Sequence, residues 1–419
     1  MPRNRAHCAR LNWKCWKKGG NGRAADWNND CKRRPTAGAE FFPLSGRKAH
    51  HRRKETMHLR TGVGPVRLQV WHGQDPQDQH WGIPIREAWR LQAHQQMSPA
   101  LEDKLAFTGT LAGSYEAAAL VAGKWGCAVD GSVIHALVQR LGNRAEGQRQ
   151  PRLQQGPPPE NQPQRGASEL AVLMIDGWFA RFRGGGWGKK QSRQEHVEWH
   201  EIKTGVFYLQ EQAAHTAGGR GVIADKRVVR WQGEPMELGR RLHWEALRGG
   251  LGRAQETLVL GDGIPWIWNL KADRWPEALE LLDFWHGSQH LWELGRAYHG
   301  GDEAKTAAWV EPRLHRLRHG REQAVLKEIA GLKAPRGQTR ETVRQQKNYF
   351  AGQAGRMNYK DVADRGWPVG SGPVEATCRQ DQCRFKRPGQ FWTQKGFRHL
   401  SALDEARRND HWDELWLTA

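Results

Sequence analysis

Leu170-Ala-Val-Leu-Met-Ile-Asp-Gly177 is an unbroken apolar run that stops at an acid and a glycine. A run of this length without alternation reads as a strand buried on both faces, and its end places Asp176 at the carboxyl edge of a central strand. The device recurs at Thr257-Leu-Val-Leu260, which closes in Gly261-Asp262-Gly263. Between the two, a basic glycine-rich turn carries Arg181, Arg183, Lys189 and Lys190. Val197, Trp199 and then Gly205 to Leu209 read as the second and third strands of an antiparallel meander, and Leu238 to Leu247 reads as a crossover helix. A helix starts at Pro265, and Ala278 to Leu282 returns as a strand that closes in Asp283-Phe-Trp-His286. The expected fold class is α/β, a mixed sheet flanked by helices.

A single Asp after an apolar strand is ordinarily a turn former or helix cap. Two of them at the ends of neighbouring strands concentrate negative charge, which is unfavourable unless a cation binds or one group stays protonated. Hard oxygen donors suit Mg²⁺ or Mn²⁺. A third carboxylate is expected, and Gly370-Ser-Gly-Pro-Val-Glu375 supplies it, with Ser371 or Pro373 starting a helix whose first turn carries Glu375.

In this order the elements resemble the DDE transposases with a ribonuclease-H-like core, and most closely the ISKra-type branch of bacterial insertion-sequence transposases. The phrases that carry the resemblance are Met174 to Gly177, Trp199 to Lys203 with Gly205 to Phe207, Leu260 to Gly263 with Trp266 to Trp268, and Leu282 to His286 with His290 and Leu291. Arg356 to Tyr359 and Gly370 to Glu375 complete the set. The resemblance implies Asp176, Asp262 and Glu375 as a metal-binding catalytic triad. It also brings in Asp283 and His286, because Asp-x-x-His after the second aspartate is similar to a signature of Mutator-like transposases beside the active site. It further implies a bacterial cytoplasmic protein that acts on double-stranded DNA, as a homodimer or larger assembly, at transposon ends and target. Two departures stand out: the N-terminal half matches loosely, and Gln289 occupies the place where Glu is expected before His290.

Cleaving a phosphodiester without a covalent intermediate requires an activated water or 3′ hydroxyl and a stabilised leaving alkoxide, which a pair of Mg²⁺ ions supplies together. His286 reads as a ligand-orienting group, a proton shuttle or a hydrogen-bonded core histidine. Arg181, Arg183, Lys189, Lys190, Arg384, Lys386 and Arg387 are candidates for gripping phosphates, with a solvated basic surface as the plain alternative.

Asp262 and Glu375 lie too far apart along the chain for a connection of about a dozen residues, so an all-helical insertion is expected. His290 to His299, Glu303 to Val310, Pro312 to Leu332 and Glu341 to Phe350 are its helix-compatible segments. The expected divisions are a basic N-terminal region over 1–97, helix-turn-helix-like helices over 98–147 and a Pro/Gln-rich linker over 148–168. The catalytic core then follows over 169–290, the insertion over 291–365, and the second part of the core over 366–419, with a C-terminal amphipathic helix ending in Trp412 and Trp416. The three helices, opening at Ser98, Ser114 and Asp130, fit a DNA-reading motif or a plain bundle.

Lys and Arg number 65 against 45 Asp and Glu, a net charge of +20 that draws polyanions. Residues 1–60 hold sixteen of the basic and four of the acidic residues, an arm that either contacts phosphates and bases or is simply solvated. Val63 to Trp71 alternates as a hairpin or edge strand does. Cys8, Cys15 and Cys31 with His7, His50 or His51 offer a zinc set, but no Cys-x-x-Cys pair is present, so free thiols are expected instead. Neither an apolar span long enough for a membrane nor a secretory leader is read. Readings from other classes are a hydrolysis-only nuclease of the same fold and a catalytically dead DNA-binding derivative.

Overall fold

The computed structural model describes residues 40–89, 91, 95–156, 168–188, 196–333, 337 and 339–416. Two compact units are present, with the boundary between Val138 and Gln139.

In the first unit, β1 (His50–Thr61) and β2 (Gly64–Gln74) form an antiparallel hairpin, and the short β3 (Trp81–Gly82) adds to its edge. The alternation from Val63 to Trp71 marks the second arm of the hairpin; the first arm is the end of the basic stretch before it. Met57, Leu59 and Val70 turn inward with Ile85 and Leu91 to make a small core. After α1 (Pro84–Ala88) come α2 (Pro99–Leu111), α3 (Tyr115–Lys124) and α4 (Gly131–Gln155). Ser98 and Ser114 cap α2 and α3 by accepting the backbone N–H groups of Leu101 and Ala117. Of the zinc set considered above, only His50 and His51 are among the described residues.

Proline content assigns 148–168 to a linker, yet α4 continues through Pro151 to Gln155. Ion pairs from Arg149 to Glu405 (2.9 Å) and from Arg152 to Glu414 (2.6 Å) fasten these last turns and offset the hydrogen bond that a proline removes. Residues 157–167 lie outside the described residues.

The second unit is built on a five-stranded mixed sheet in the order β10-β9-β4-β5-β8. The strands are β4 (Ser168–Arg183), β5 (Val197–Leu209), β8 (Arg227–Trp231), β9 (Ala254–Gly261) and β10 (Leu279–Leu282), with β6 (Ala213–His215) and β7 (Gly221–Ile223) as a separate small ribbon. β4, β9 and β10 run parallel, and β5 and β8 antiparallel to their neighbours, a mixed α/β arrangement compatible with a ribonuclease-H-like fold.

Two sequence expectations change here. β4 does not stop at Ile175, because β5 keeps pairing with it as far as Arg183↔Val197 while Trp178, Ala180 and Phe182 stay buried. Val197 to Leu209 is therefore one strand, and β8 is the third strand of the meander. One sheet face is covered by α5 (Pro235–Arg248) and α6 (Pro265–Arg274), whose Leu238, Leu242, Ile267 and Leu270 meet Leu173, Ile175, Phe207 and Val259.

Between β10 and the Glu375 segment come α7 (Phe284–Tyr298), α8 (Glu303–Arg318), α9 (Glu322–Gly331), α10 (Thr339–Gly352) and α11 (Tyr359–Asp364). Pro312 to Leu332 is thus not one helix: α8 runs through Pro312, and a turn at His319 and Gly320 separates it from α9. The chain ends with α12 (Gly372–Phe385) and α13 (Gln394–Arg408), and Phe385 and Phe397 pack with Trp178. Trp412 and Trp416 follow α13 in irregular and 3-10 turns instead of ending an amphipathic helix. Arg230 of β8, fully buried, bonds Asp381 of α12 at 2.6 Å and also Asp404 of α13, so one guanidinium ties both helices to the sheet. Among the described residues no helix is long and apolar enough to cross a membrane.

α4 passes α13 so closely at Gly142 that a Cβ there would stand 2.1 Å from the carbonyl oxygen of His399. The obstacle is backbone and cannot rotate away. Alanine is the better helix former by about 1 kcal/mol, but overpacking costs about 1–3 kcal/mol or more. Gly142→Ala is expected to lower stability in urea unfolding, and an equal or higher midpoint would contradict this crossing.

Candidate active site

The ends of three parallel strands set the site. β9 leaves β4 at the pair Ile175↔Gly261, and β10 leaves β9 at Leu282↔Gly261. The residues that follow these three positions are Asp176, Asp262 and Asp283. β4 runs on with β5, but β9 no longer pairs with it from Asp176 onward, and its edge is next met by Trp392 at Phe182. Asp176 and Asp262 are both half-buried.

Burial pushes the Asp176 carboxyl above its ordinary pKa, and the neighbouring Asp262 carboxylate adds to the rise. The Gly177 N–H, donating at 2.7 Å, the Cys378 thiol and the His286 imidazole pull the other way without cancelling it. Asp262 is likewise raised by burial, with a smaller push from Glu201, against the Ile264 N–H at 3.0 Å and His286. His286 therefore acts on both aspartates. These are the surroundings in which a bound cation would relieve most repulsion.

The remaining groups meet at two helix starts. Asp283 caps α7: its Oδ1 accepts the His286 N–H at 2.6 Å, and its Oδ2 accepts the Ser371 N–H just ahead of α12. With 0% exposure, this carboxylate braces the helix that bears His286 against the helix that bears Glu375. Ligand atoms of Asp283, His286 and Glu375 all lie within 4.8 Å of one another. Glu375, on the first turn of α12, also accepts the Ser371 hydroxyl at 3.1 Å.

Four contributors were not legible in the sequence. Cys378 lies one helical turn beyond Glu375, and its thiol, pushed up by burial and by Asp176, bonds Asp176 and Thr204. The i, i+3 spacing from Glu375 was the available signal. Tyr349 of α10 donates its hydroxyl to the Asp262 carbonyl at 2.9 Å, and Gln353 donates to the Gly263 carbonyl at 3.0 Å. Gly263 sits at φ +96° with Tyr349 3.0 Å from where a Cβ would stand, so the turn accepts only glycine without strain. Tyr349 in turn stacks on His290 at 3.7 Å. No local pattern announced these last contacts, since they join segments far apart in the chain.

The basic candidates separate. Arg183, Lys386 and Arg387 are exposed or half-buried on and beside the β4 and β5 ribbon, and Arg181 donates to the Arg387 carbonyl at 2.5 Å. Arg384 is buried beside Trp392, which removes it from the solvent-facing set. Lys189 and Lys190 lie outside the described residues.

A second group with ligand atoms in reach of one another is Asp75, Asp78 and His80 in the first unit. There Glu87 and Asp78 raise His80 to about 9, so a cation would have to displace a proton that two acids hold on the ring. The oxygen-rich donors at the strand ends fit a hard divalent cation better. No family model and no curated protein matches the chain.

A carboxyl whose folded pKa is raised binds more protons when folded, so it opposes folding increasingly as pH climbs from the unfolded value through the folded one. Above that window the penalty is complete. In chelator at pH 7, Asp176→Asn is expected to raise the thermal midpoint by on the order of 2 °C, with the gain vanishing below about pH 4. A lower midpoint at pH 7 would contradict the burial and repulsion described.

Proposed function

We propose that this chain is a DDE-type transposase with a ribonuclease-H-like core, of the ISKra-type branch, that binds insertion-sequence ends in double-stranded DNA. It exposes their 3′ ends by hydrolysis and joins those ends to target DNA. What supports the reading is that Asp176 and Asp262 follow adjacent parallel strands and both feel His286, whose ligand atoms come within 4.8 Å of those of Glu375 and Asp283.

Asp176, Asp262 and Glu375 would hold Mg²⁺ or Mn²⁺, as a pair of ions. When bound, the metal supplies activation of water or of a 3′ hydroxyl and charge stabilisation at the leaving oxygen. The chain's own residues do the positioning. Asp283 fixes α7 against α12, and Tyr349 with Gln353 fixes the turn that carries Asp262. His286, close to both aspartates, orients a carboxylate or moves a proton. Arg183, Lys386 and Arg387 meet backbone phosphates, which contribute affinity without sequence preference.

The test uses duplexes that carry the sequences flanking the element. In Mg²⁺ the full chain is expected to release a 3′ hydroxyl end and to join it to plasmid. Asp262→Asn and Glu375→Gln should each lose more than the roughly 10–100-fold typical of removing a residue that only orients a ligand. Release without joining would reduce the protein to a nuclease, and full activity in either variant would defeat the proposal.

A further inference from the structure

Beyond Ile175, β4 and β5 run on as a two-stranded ribbon with two unlike faces. Trp178, Ala180 and Phe182 turn inward and are buried. The opposite face carries Phe179 and Trp199, which are 52% and 54% exposed. The register pairs Phe179 with Glu201 and Arg181 with Trp199, so these side chains share one face and the two rings are diagonal neighbours.

Cations flank Trp199. The Arg181 guanidinium lies 5.9 Å and the Lys386 ammonium 5.4 Å from the Trp199 ring centre. The acid on this face, Glu201, is paired with Lys203 at 2.8 Å, which leaves the face net basic. The ribbon is pinned along its other edge: the Trp392 N–H donates to the Arg181 carbonyl at 2.9 Å, and the Arg183 N–H donates to the Trp392 carbonyl at 2.8 Å.

Flat exposed rings among cations, on a stiff sheet face, are what unpaired bases require. A base inside a duplex has its faces covered by its neighbours, so it cannot stack on a protein ring, whereas a base in a single strand can. Diagonal positions on a sheet are roughly 7–8 Å apart, wider than the ~3.4 Å axial rise from one stacked base to the next in a duplex. The rings are therefore spaced for splayed bases. The face also leads to the carboxylates, since Glu201 opposite Phe179 is close enough to act on Asp262.

We infer that the outer face of the β4 and β5 ribbon binds single-stranded DNA, stacking unpaired bases on Phe179 and Trp199 with Arg181 and Lys386 on the phosphates. This deepens the proposed function by naming an unpaired stretch beside the cleavage point as part of its substrate; the stacking itself does not depend on catalysis.

The experiment measures anisotropy of a labelled oligothymidine about 12 nucleotides long and of a blunt duplex of the same length, with the full chain in chelator. Wild type is expected to bind the oligothymidine. Phe179→Ala and Trp199→Ala should each weaken that binding about fivefold or more, with duplex binding changed less than about twofold and Trp199→Phe close to wild type. Equal losses on both DNAs, unchanged oligothymidine binding in both alanine variants, or no oligothymidine binding by wild type would each overturn the inference. Circular dichroism checks that the variants fold, as substitution of exposed rings predicts. Binding is read in chelator, where no strand is cut, so a failure of the cleavage test and a failure of this one are separable.

Discussion

The Asp176 and Asp262 carboxyls repel one another from adjacent strands, in surroundings that already disfavour their charge. Such an arrangement persists only where the backbone leaves no alternative. Here both acids follow residues locked in parallel pairing, Ile175 and Gly261, so neither can retreat without breaking the sheet. The nearby helices then serve the same constraint. α7 brings His286 close to both acids, α12 brings Glu375 and the Cys378 thiol, and α10 grips the turn that follows β9.

Asp283 shows how position and role part company. It stands at the end of a strand like the other two aspartates, and the sequence offers no way to tell it from them. Its two oxygens, however, each accept a backbone N–H from a different helix start, and it has no exposure. A fully buried carboxylate satisfied in this way is a joint between elements. His80 makes the complementary point: three suitable ligand residues lie close together, but two acids keep the ring protonated.

Much of the sheet was legible because burial on both faces leaves an uninterrupted apolar run, which β4 and β9 carry, while β10 is short and broken by Glu280. The same signal misplaced the end of β4. Past Asp176 the strand is buried on one face only, alternating Trp178, Ala180 and Phe182 with Gly177, Phe179 and Arg181, a pattern that the glycines and arginines further on mask as a turn. Proline misled in a similar way: Pro151 and Pro312 lie inside α4 and α8, where ion pairs and neighbouring helices hold the backbone despite the missing donor. Of the site, the acids and His286 could be picked out because their chemistry and spacing are local to strand ends. Tyr349, Gln353 and Thr204 could not, because what they contribute is a contact across the fold.

The most direct measurement replaces the cation with one that cuts. Fe²⁺ with ascorbate and peroxide generates radicals that cleave the backbone nearest the bound ion. Fragments ending near Asp176, Asp262 and Glu375 together are expected, suppressed by excess Mg²⁺ and lost in Asp262→Asn. Cleavage confined to the vicinity of Asp75 and His80, or scattered and insensitive to Mg²⁺, would contradict it.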